Sequence, residues 1–304
     1  MIRESAGKIS DTLYALGSPA LPVYLLLGDP PVLFDAGMTF MGPLYLRDLK
    51  ERLGDVNRLS SLFLTHSHFD HSGAAPFLKK NIPGLKVAAS KFAAEIFKRP
   101  NAIQLIQSLS RGMEEAFRTK IGDADVIFRG LELDRTLEDG EEIELKDGTK
   151  IQVIATPGHT RDAVSYYIPR LKALVCGEAV GTLDRKLAVR PSFLSSYDDY
   201  LASLDKLKGL EVEALLLAHA FVLTEEDARG MVSRTIEATR AFKERIERDL
   251  DLLKNDPEAV VQKIFQEDYV EKKLINQEER PFRINLAAQV KAVAEKNKDH
   301  LPIR

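Results

Sequence analysis

Residues 61–71 read Ser-Leu-Phe-Leu-Thr-His-Ser-His-Phe-Asp-His, so a short apolar run ends in three histidines and an aspartate. A wholly apolar run of this length is typical of a strand that is buried on both faces of its sheet. Residues 72–80 then show the helical spacing of apolar side chains. The stretch therefore predicts a buried strand and a helix, with the histidines and the aspartate in the connection between them.

The spacing of these polar residues favours a metal site. In an extended segment, residues two apart project to the same side, so the imidazoles of His66 and His68 can reach one ion. Asp70 and His71 come after the chain turns towards a helix, where they can face a second ion about 3.5–4 Å from the first. Imidazole and carboxylate suit zinc, iron and manganese alike. The pattern therefore predicts two divalent ions without identifying the metal.

Two further histidines and one acid occupy matching positions after other apolar runs. His159 stands in Thr-Pro-Gly-His-Thr, His219 in Leu-Ala-His-Ala and Glu178 in Leu-Val-Cys-Gly-Glu, each directly after a predicted strand. Strand ends at one rim of a sheet-based fold are a common place for a site. A lone histidine more often caps a strand or lies on the surface, but five of the six histidines share this pattern, and we therefore expect a metal centre at that rim. The sixth, His300, lies in a polar tail and carries no assignment.

Strand and helix patterns alternate as far as about residue 223, and the remainder is helical. The predicted strands cover residues 11–16, 22–27, 32–34, 61–65, 143–145, 150–155, 163–168, 172–176 and 213–218. The predicted helices cover residues 43–53, 72–80, 198–207, and 90–121 with breaks at Pro100 and Gly112. We therefore predict a domain over residues 1–223, with a helical insertion at about 90–121, and a helical extension over residues 224–304 that is broken at Asp256-Pro257 and Arg280-Pro281.

Length and charge limit what the protein can be. A chain of 304 residues is long enough for one large domain or for a domain with an elaboration. Its net charge of −3 gives no overall attraction to phosphate backbones. We therefore expect no nucleic-acid partner.

Cysteine usage and hydropathy bear on chemistry and location. Cys176 is the only cysteine, which excludes an intrachain disulfide and a thiolate metal cage. Its apolar strand favours a place in the core over a role as a nucleophile. The N-terminus has no apolar stretch of signal-peptide length, and no run approaches the ~18–20 apolar residues of a membrane helix. We expect a cytoplasmic protein without a membrane partner.

The order of these motifs resembles that of the metallo-β-lactamase superfamily. Five segments between about residues 10 and 225 carry the resemblance: Asp35-x-Gly37, Thr65 to Gly73, Thr156 to Thr160, Cys176 to Glu178, and His219. The resemblance implies the α/β class, as a four-layer αββα sandwich with a C-terminal helical extension. It also implies a two-metal site along one edge of the sandwich.

The resemblance assigns the ligands residue by residue. It implies three ligands for each ion and one bridge between the ions: His66, His68 and His159; Asp70, His71 and His219; and Glu178. Family members usually carry aspartate at the bridging position. The extra methylene of Glu178 adds about 1.5 Å of reach, so its carboxylate would fold back, bind one ion only or push the ions apart. Asp35 would orient ligands or backbone by hydrogen bonds.

This ligand set favours the hydrolysis of a carboxylic derivative. Two ions that share a water lower its pKa towards neutrality, and they can also polarise a carbonyl group. Asp70 could ligate an ion and also accept the proton of that water. We therefore expect a small-molecule substrate: a thioester, an ester, a lactone or an amide.

The predicted C-terminal extension is similar to the helices that follow the last ligand in glyoxalase II and in the thioesterase of bacterial quinolone-signal biosynthesis. The second likeness extends to the approximate length, the helical insertion, the sequence Gly158-His159-x-x-Asp162 and the run from Cys176 to Gly181. It implies a thioesterase-like activity on an acyl thioester. A lactonase or another metallo-hydrolase is the alternative within the enzyme class. A partner-binding or regulatory protein with a slow or vestigial metal site is the alternative outside it.

We expect the extension and the insertion to cover the metal edge and to form a closed, apolar pocket. Phe69, Phe193 and Phe221 are candidates for its walls, with ordinary core packing as the alternative for each. The helices could instead form a homodimer through their apolar stripes.

Overall fold

The computed structural model describes residues 1–299, and His300 lies outside the described residues. Contacts divide the chain into two compact units, which are described separately. The first unit consists of residues 1–155, 162–177 and 212–228. The second unit consists of residues 156–161 and 178–211 and of the chain from residue 229 onward. No helix among residues 1–299 is long and apolar enough to cross a membrane.

Most of the strands belong to the first unit. In chain order, the strands of the described residues are β1 (Ile2–Glu4), β2 (Gly7–Lys8), β3 (Leu13–Ser18), β4 (Leu21–Leu26), β5 (Val32–Phe34), β6 (Ser61–Phe63), β7 (Lys86–Ser90), β8 (Arg135–Leu137), β9 (Glu142–Glu144), β10 (Lys150–Ala155), β11 (Val164–Ile168), β12 (Ala173–Val175), β13 (Thr182–Leu183), β14 (Val189–Arg190), β15 (Ala214–Leu216) and β16 (Phe221–Thr224). All of the predicted strands are present, with ends shifted by a few residues.

The helices divide between the two units. In chain order, the α-helices of the described residues are α1 (Gly42–Leu53), α2 (Phe69–Ser72), α3 (Ala75–Asn81), α4 (Lys91–Ile96), α5 (Pro100–Ala116), α6 (Arg118–Ile121), α7 (Tyr197–Lys208), α8 (Glu225–Leu252), α9 (Pro257–Phe265) and α10 (Glu279–Asp299). Short 3₁₀ turns cover Thr39–Met41, Val56–Arg58 and Pro169–Leu171, and a π-helical turn covers Gln266–Glu271.

The first unit contains two seven-stranded sheets. The N-terminal sheet has the order β2-β3-β4-β5-β6-β7-β8, in which β5 to β8 are parallel. The C-terminal sheet has the order β1-β16-β15-β12-β11-β10-β9. In this second sheet β12 and β15 are parallel, and β11 runs antiparallel to β10 and to β12. The carboxyl ends of β10, β12 and β15 therefore lie at the same edge of the C-terminal sheet.

The two sheets bury one shared layer of side chains. Phe34 of β5 and Phe63 of β6 contact Tyr166 of β11, with ring centroids 5.3 Å and 5.6 Å from that of the tyrosine. The Tyr166 hydroxyl donates to the carbonyl oxygen of Leu64 at 2.6 Å, so the buried hydroxyl has a hydrogen-bond partner. The layer thus joins the sheets by apolar contact and by one buried hydrogen bond.

A helical layer covers the other face of the N-terminal sheet. Apolar side chains of α1, α3 and α5 form one buried cluster with those of β4 to β7. The predicted break at Pro100 is confirmed, because α4 ends at Ile96 and Pro100 begins α5, where the missing N–H of proline needs no partner. The predicted break at Gly112 is wrong, because α5 continues through it to Ala116. A glycine inside a helix costs about 1 kcal/mol, which the rest of a long helix can offset.

In the second unit, a buried carboxylate connects the β13–β14 ribbon to the C-terminal helices. Asp268 in the π-helical turn accepts hydrogen bonds from Arg190 of β14 at 2.9 Å and from Arg245 of α8 at 2.8 Å. Burial alone would raise the pKa of Asp268, but the hydrogen bond and charge of Arg245 and the charge of Arg190 lower that pKa below its usual value. The two arginines therefore stabilise a charge that would otherwise be costly to bury.

The shared layer between the sheets can be tested with Phe34→Ala. The Phe34 side chain is fully buried, so truncation should leave a cavity and lower the free energy of unfolding by about 3–5 kcal/mol. Urea denaturation followed by circular dichroism measures the change. Phe92→Ala is the matched control, because Phe92 is 64% exposed and its truncation should change stability by no more than about 0.5 kcal/mol. Equal effects of the two variants would contradict this description of the core.

The Asp268 interactions predict a pH dependence of stability. Because the folded-state pKa of Asp268 lies below its unfolded-state value of about 3.9, the carboxylate stabilises the fold above that pH, and this contribution is lost as the pH falls through the folded-state pKa. Asp268→Asn should therefore lower the urea midpoint at about pH 7, and its difference from the wild type should shrink as the pH falls below about 3.9.

The control for this experiment is a surface pair with the same chemistry. Asp125 accepts from Arg129 at 2.9 Å, but both side chains are exposed. Solvent screens such a pair, so Asp125→Asn should leave the midpoint nearly unchanged. A difference between wild type and Asp268→Asn that did not vary with pH would show that the carboxylate charge is not what stabilises the second unit.

Candidate metal centre

The connection after β6 has the conformation that its sequence predicts. His66 and Ser67 follow the end of the strand, and His68 is still extended, with φ −61° and ψ 149°. His68 is also the N-cap of α2, so Asp70 and His71 lie in the first turn of a helix. The change of backbone conformation at His68 directs the two pairs of side chains differently.

Asp35, at the carboxyl end of β5, fixes this connection. Its buried carboxylate accepts from the backbone nitrogen of Thr65 at 2.7 Å and from the Thr65 hydroxyl at 2.9 Å. The same carboxylate lies 2.8 Å from Nδ1 of His71. Because an ionised carboxylate can only accept, the His71 proton in this contact lies on Nδ1. The other ring nitrogen, Nε2, then carries the lone pair that a metal needs.

Thr65 extends the same arrangement to His66. The Thr65 hydroxyl donates to Asp35, so its oxygen is left to accept from Nδ1 of His66 at 3.0 Å. His66, like His71, therefore presents Nε2 as its ligand atom. Gly177 leaves space for this contact: its φ is +51°, and an added Cβ would lie 3.1 Å from the Thr65 hydroxyl oxygen. A side chain at position 177 would be strained and would crowd Thr65.

His219 completes a set of three ligand atoms in the first unit. Its Nδ1 donates to the carbonyl oxygen of Ala20 at 3.0 Å, and its Nε2 lies 3.7 Å from Oδ2 of Asp70. The ligand atoms of Asp70, His71 and His219 all lie within 4.8 Å of one another. The ligand atoms of the other predicted pair in this unit, His66 and His68, also lie within 4.8 Å of each other.

The second unit holds the two remaining predicted ligands close together. His159 Nδ1 donates to the carbonyl oxygen of Ser192 at 2.7 Å, which again leaves Nε2 as the ligand atom. That Nε2 lies 3.8 Å from Oε2 of Glu178, and both side chains are buried. Glu178 therefore faces a histidine, as a ligand would, although it is one methylene longer than the usual aspartate.

These distances suit a divalent ion. A separation of 3.7 or 3.8 Å between nitrogen and carboxylate oxygen is too long for a hydrogen bond. Two donors on one tetrahedral ion, each about 2.0–2.2 Å from it, lie about 3.4 Å apart. In four histidines Nδ1 donates a hydrogen bond to an acceptor. Such a bond on the side of the ring away from the metal is what orients a metal-binding imidazole. The residues present therefore fit a metal centre.

Asp162 supports the backbone between His66 and His68, a role that its sequence context did not predict. Its buried Oδ2 accepts from the backbone nitrogen of Ser67, between the two histidines, at 2.7 Å. Its own carbonyl accepts from the Ser90 hydroxyl at 2.7 Å. The only signal in the sequence is the place of Asp162 three residues after His159, and the contact with Ser67 spans 95 residues. Asp162 thus holds the backbone of residues 65–71, which we call the ligand loop.

The candidate pocket residues lie in three different environments. Phe69 packs partly buried against the apolar cluster beneath the outer helices, and Phe221 is half-buried in β16. Phe193 is fully buried, and its ring contacts Tyr197 and Phe242 with centroids 5.3 and 6.2 Å away. As pocket walls, all three stay predictions.

The Asp35 contacts lead to a test on metal retention. Asp35→Asn should weaken metal binding by about 10–100-fold. The asparagine amide nitrogen is a donor, and it would face a group that now donates a hydrogen bond to the carboxylate. Asparagine is the suitable replacement, since Asp35 has a φ of 61° that asparagine tolerates. Competition with a chromogenic chelator for zinc measures the affinity.

Asp48→Asn is the control, because the Asp48 carboxylate also accepts a hydrogen bond from a backbone nitrogen, that of Gly17 at 3.0 Å. Equal zinc affinity of the two variants would contradict a role for Asp35 in orienting ligands.

The chain is similar in sequence to known proteins. The chain is 27% identical to a probable metallo-hydrolase of Bacillus subtilis (strain 168) over 66% of its own length and 78% of that protein. It is 30% identical to the hydroxyacylglutathione hydrolase of Brucella anthropi over 62% of its own length and 56% of that enzyme. The chain thus spans only about half the length of this second relative.

A similar fold occurs in solved structures, and the family match covers most of the motifs. A metallo-beta-lactamase family protein from Thermus thermophilus superposes with a TM-score of 0.64 at 20% identity, over 96% of this chain and 95% of that one. At such identity the likeness shows the fold alone. The sequence of residues 22–219 matches the family described as the metallo-beta-lactamase superfamily. Since this match covers well over half of the 304 residues, the chain belongs to the metallo-β-lactamase superfamily.

Proposed function

We propose that the protein is a two-metal hydrolase of small carboxylic derivatives, with acyl thioesters as its substrate class. The observation that carries this proposal is the grouping of the Asp70, His71 and His219 ligand atoms within 4.8 Å of one another. Imidazole nitrogens and a carboxylate oxygen grouped in this way, with Nδ1 of both histidines occupied by acceptors, are suited to ligation of a hydrolytic metal.

The proposed ligand set follows the family order of motifs. We assign three ligands to each ion and one carboxylate to both: His66, His68 and His159; Asp70, His71 and His219; and Glu178. The contacts of Asp35 and Thr65 support the assignment of Nε2 as the ligand atom of His66 and His71. Zinc, iron and manganese all accept these ligands.

The chain's own residues supply the positioning and the proton transfer. When bound, the two ions supply a water of near-neutral pKa and polarise the substrate carbonyl. We assign to Asp70 the role of orienting the attacking water and accepting its proton, because its carboxylate lies among the proposed ligands, with Oδ2 3.7 Å from Nε2 of His219. Asp35, Thr65 and Asp162 keep the ligand loop in place, so little reorganisation is needed at the moment of reaction.

The names of two relatives support thioesters as the proposed substrates. The Brucella anthropi protein is named hydroxyacylglutathione hydrolase, as is a relative from Methylococcus capsulatus that is 29% identical over 55% of this chain. A thioester carbonyl is also a better electrophile than an amide, so it needs less stabilisation of the oxyanion. We therefore propose a thioesterase-like activity, within a pocket for which Phe69, Phe193 and Phe221 are candidate walls.

Two alternatives to a thioesterase are a lactonase and a partner-binding or regulatory protein. A lactonase would use the same ions and the same proton acceptor. A partner-binding or regulatory protein would retain the ligands as a slow or vestigial site, and Glu178 in place of the usual aspartate is the feature that favours it. A panel of acyl-CoA thioesters, lactoylglutathione and homoserine lactones separates these functions.

Asp70→Asn is the test of the proposed reaction. Loss of the proton acceptor and of one charged ligand should lower thioester hydrolysis by at least about 10²–10⁴-fold, the contribution typical of a general base. The measurement is the initial rate with the zinc-loaded wild type and variant, together with their metal content. Asp11→Asn is the control, since Asp11 is a surface carboxylate that is 95% exposed. It should leave the rate unchanged.

Three results would decide between the functions. Hydrolysis of lactones but of no thioester would replace the proposed substrate class by lactones. Equal thioesterase rates in the wild type and Asp70→Asn would contradict the role of Asp70. A wild type that binds zinc but hydrolyses no member of the panel would favour the partner-binding function.

A further inference from the structure

The His159 ring is oriented by the backbone carbonyl and the hydroxyl of one residue, Ser192. His159 Nδ1 lies 2.7 Å from the carbonyl oxygen of Ser192 and 3.1 Å from the hydroxyl of the same residue. A carbonyl oxygen can only accept, so Nδ1 carries the proton and Nε2 points the other way. Any displacement of Ser192 therefore changes where Nε2 points.

Ser192 lies two residues beyond the end of β14. Residues 190–192 begin at the last residue of β14 and lead into a stretch without regular structure. Such a segment has no ladder of backbone hydrogen bonds beyond Arg190 to keep its carbonyls in place. Beyond Arg190 its geometry comes from side chains of other elements and from the residues that follow, because the nitrogens of Leu194 and Ser195 donate to the carbonyl oxygen of Gly158 at 3.0 Å.

Three such side chains hold the 190–192 segment, all from the second unit. The Gln289 side-chain amide on α10 donates to the carbonyl oxygen of Pro191 at 2.8 Å. The Tyr200 hydroxyl on α7 accepts from the Ser192 nitrogen at 3.3 Å. Asp268 accepts from the Arg190 guanidinium at 2.9 Å. Each of the three residues of the segment thus has one anchor from a helical region.

The Tyr200 anchor also reaches the second candidate ligand. Its hydroxyl donates to the carbonyl oxygen of Glu178 at 3.1 Å, while it accepts from Ser192. Tyr200 is fully buried, so both bonds form away from bulk water. The backbone carbonyl of Glu178 and the backbone nitrogen of Ser192 are therefore linked through one oxygen atom.

Gln289 is the anchor whose presence apolar packing does not explain. It lies on a face of α10 where the neighbouring side chains of Leu286, Val290 and Val293 are buried. A glutamine in this place would be costly without a hydrogen-bond partner. Its bond to Pro191 offsets that cost and spans 98 residues of the chain.

We propose that Gln289 is a positioning residue for His159, so that helix α10 controls how tightly the site holds its metal. The amide fixes Pro191, Pro191 fixes the adjacent carbonyl of Ser192, and that carbonyl orients the imidazole. This inference rests on the proposed function, because it takes His159 as a metal ligand. It adds to that function a role for the C-terminal helix in metal affinity.

Zinc affinity tests the proposal directly. Gln289→Leu keeps the size of the side chain and removes the donor. We expect zinc binding, measured by competition with a chromogenic chelator, to weaken about three- to tenfold for one of the two ions. This is less than the 10–100-fold that is typical when the partner that touches the ligand is removed, because Gln289 reaches His159 through two intervening residues, Pro191 and Ser192.

The chain offers a matched control for the same bond. Gln107 on α5, in the first unit, donates its side-chain amide to the carbonyl oxygen of Phe128, also at 2.8 Å. Gln107→Leu should lower the urea midpoint by a similar amount and leave zinc affinity unchanged. If Gln289→Leu does not fold, Gln289→Met is the second variant, because its flexible thioether fills the same space without a donor.

A second readout requires neither metal nor activity. In metal-free protein with isotopically labelled histidine, the Nδ1 proton of His159 should give a protected NMR signal, assigned by its absence in His159→Gln. Its exchange with solvent should be at least about fivefold faster in Gln289→Leu, because a freer 190–192 segment opens more often. In Gln107→Leu the exchange rate should equal that of the wild type.

The outcomes separate this proposal from the proposed function. Unchanged zinc affinity and unchanged proton exchange in Gln289→Leu would overturn the role of Gln289. A wild type that binds zinc but hydrolyses no thioester would contradict the proposed activity, while the difference between the two glutamine variants would still support the positioning role. If the wild type bound no zinc, the metal centre would fail, and with it the control of metal affinity by α10.

Discussion

A single buried carboxylate, that of Asp35, accepts from the backbone and hydroxyl of Thr65 and from the imidazole of His71. Through the Thr65 hydroxyl it also orients His66. A carboxylate in a place with little water is stable only if donors surround it, and here the donors are the ligand loop itself. The requirement that Asp35 be satisfied therefore fixes the tautomer of two histidines and the path of the loop that carries them.

The position of Asp35 is in turn a consequence of the parallel N-terminal sheet. β5 and β6 are adjacent and parallel, so the residue after β5 lies beside the residues that follow β6. The backbone at Asp35 has a positive φ, which turns its side chain out of the strand direction. Gly177, after β12, provides the space beside Thr65 that any larger residue would fill. Strand direction and two special backbone positions thus create the environment of the ligand loop.

The second unit uses a different kind of support. There the candidate ligand His159 is oriented by the carbonyl of Ser192, in a segment that has no sheet partners beyond β14. Side chains from α7, α10 and the π-helical turn hold this segment, and the charged pair of Arg190 with Asp268 is one of them. Hydrogen bonds to an irregular backbone are more easily lost than a ladder of strand bonds. Metal affinity is therefore expected to depend on the C-terminal helices as well as on the sheets.

The amino-acid sequence by itself determined the family, the buried strand before the histidines and the identity of the candidate ligands, because these depend on local periodicity and on residue types at fixed spacing. Strands such as β7 (Lys86–Ser90) and β16 were decided only by the tertiary structure. The segment 86–90 is short and contains only one β-branched side chain, so its own strand propensity is low. It becomes a strand because it pairs with β6. The supports of the site were likewise invisible in the sequence: Asp162 contacts Ser67 across 95 residues, and Gln289 contacts Pro191 across 98. A hydrogen bond between positions so far apart leaves no periodic trace in the chain, since its partners meet only when the fold brings them together.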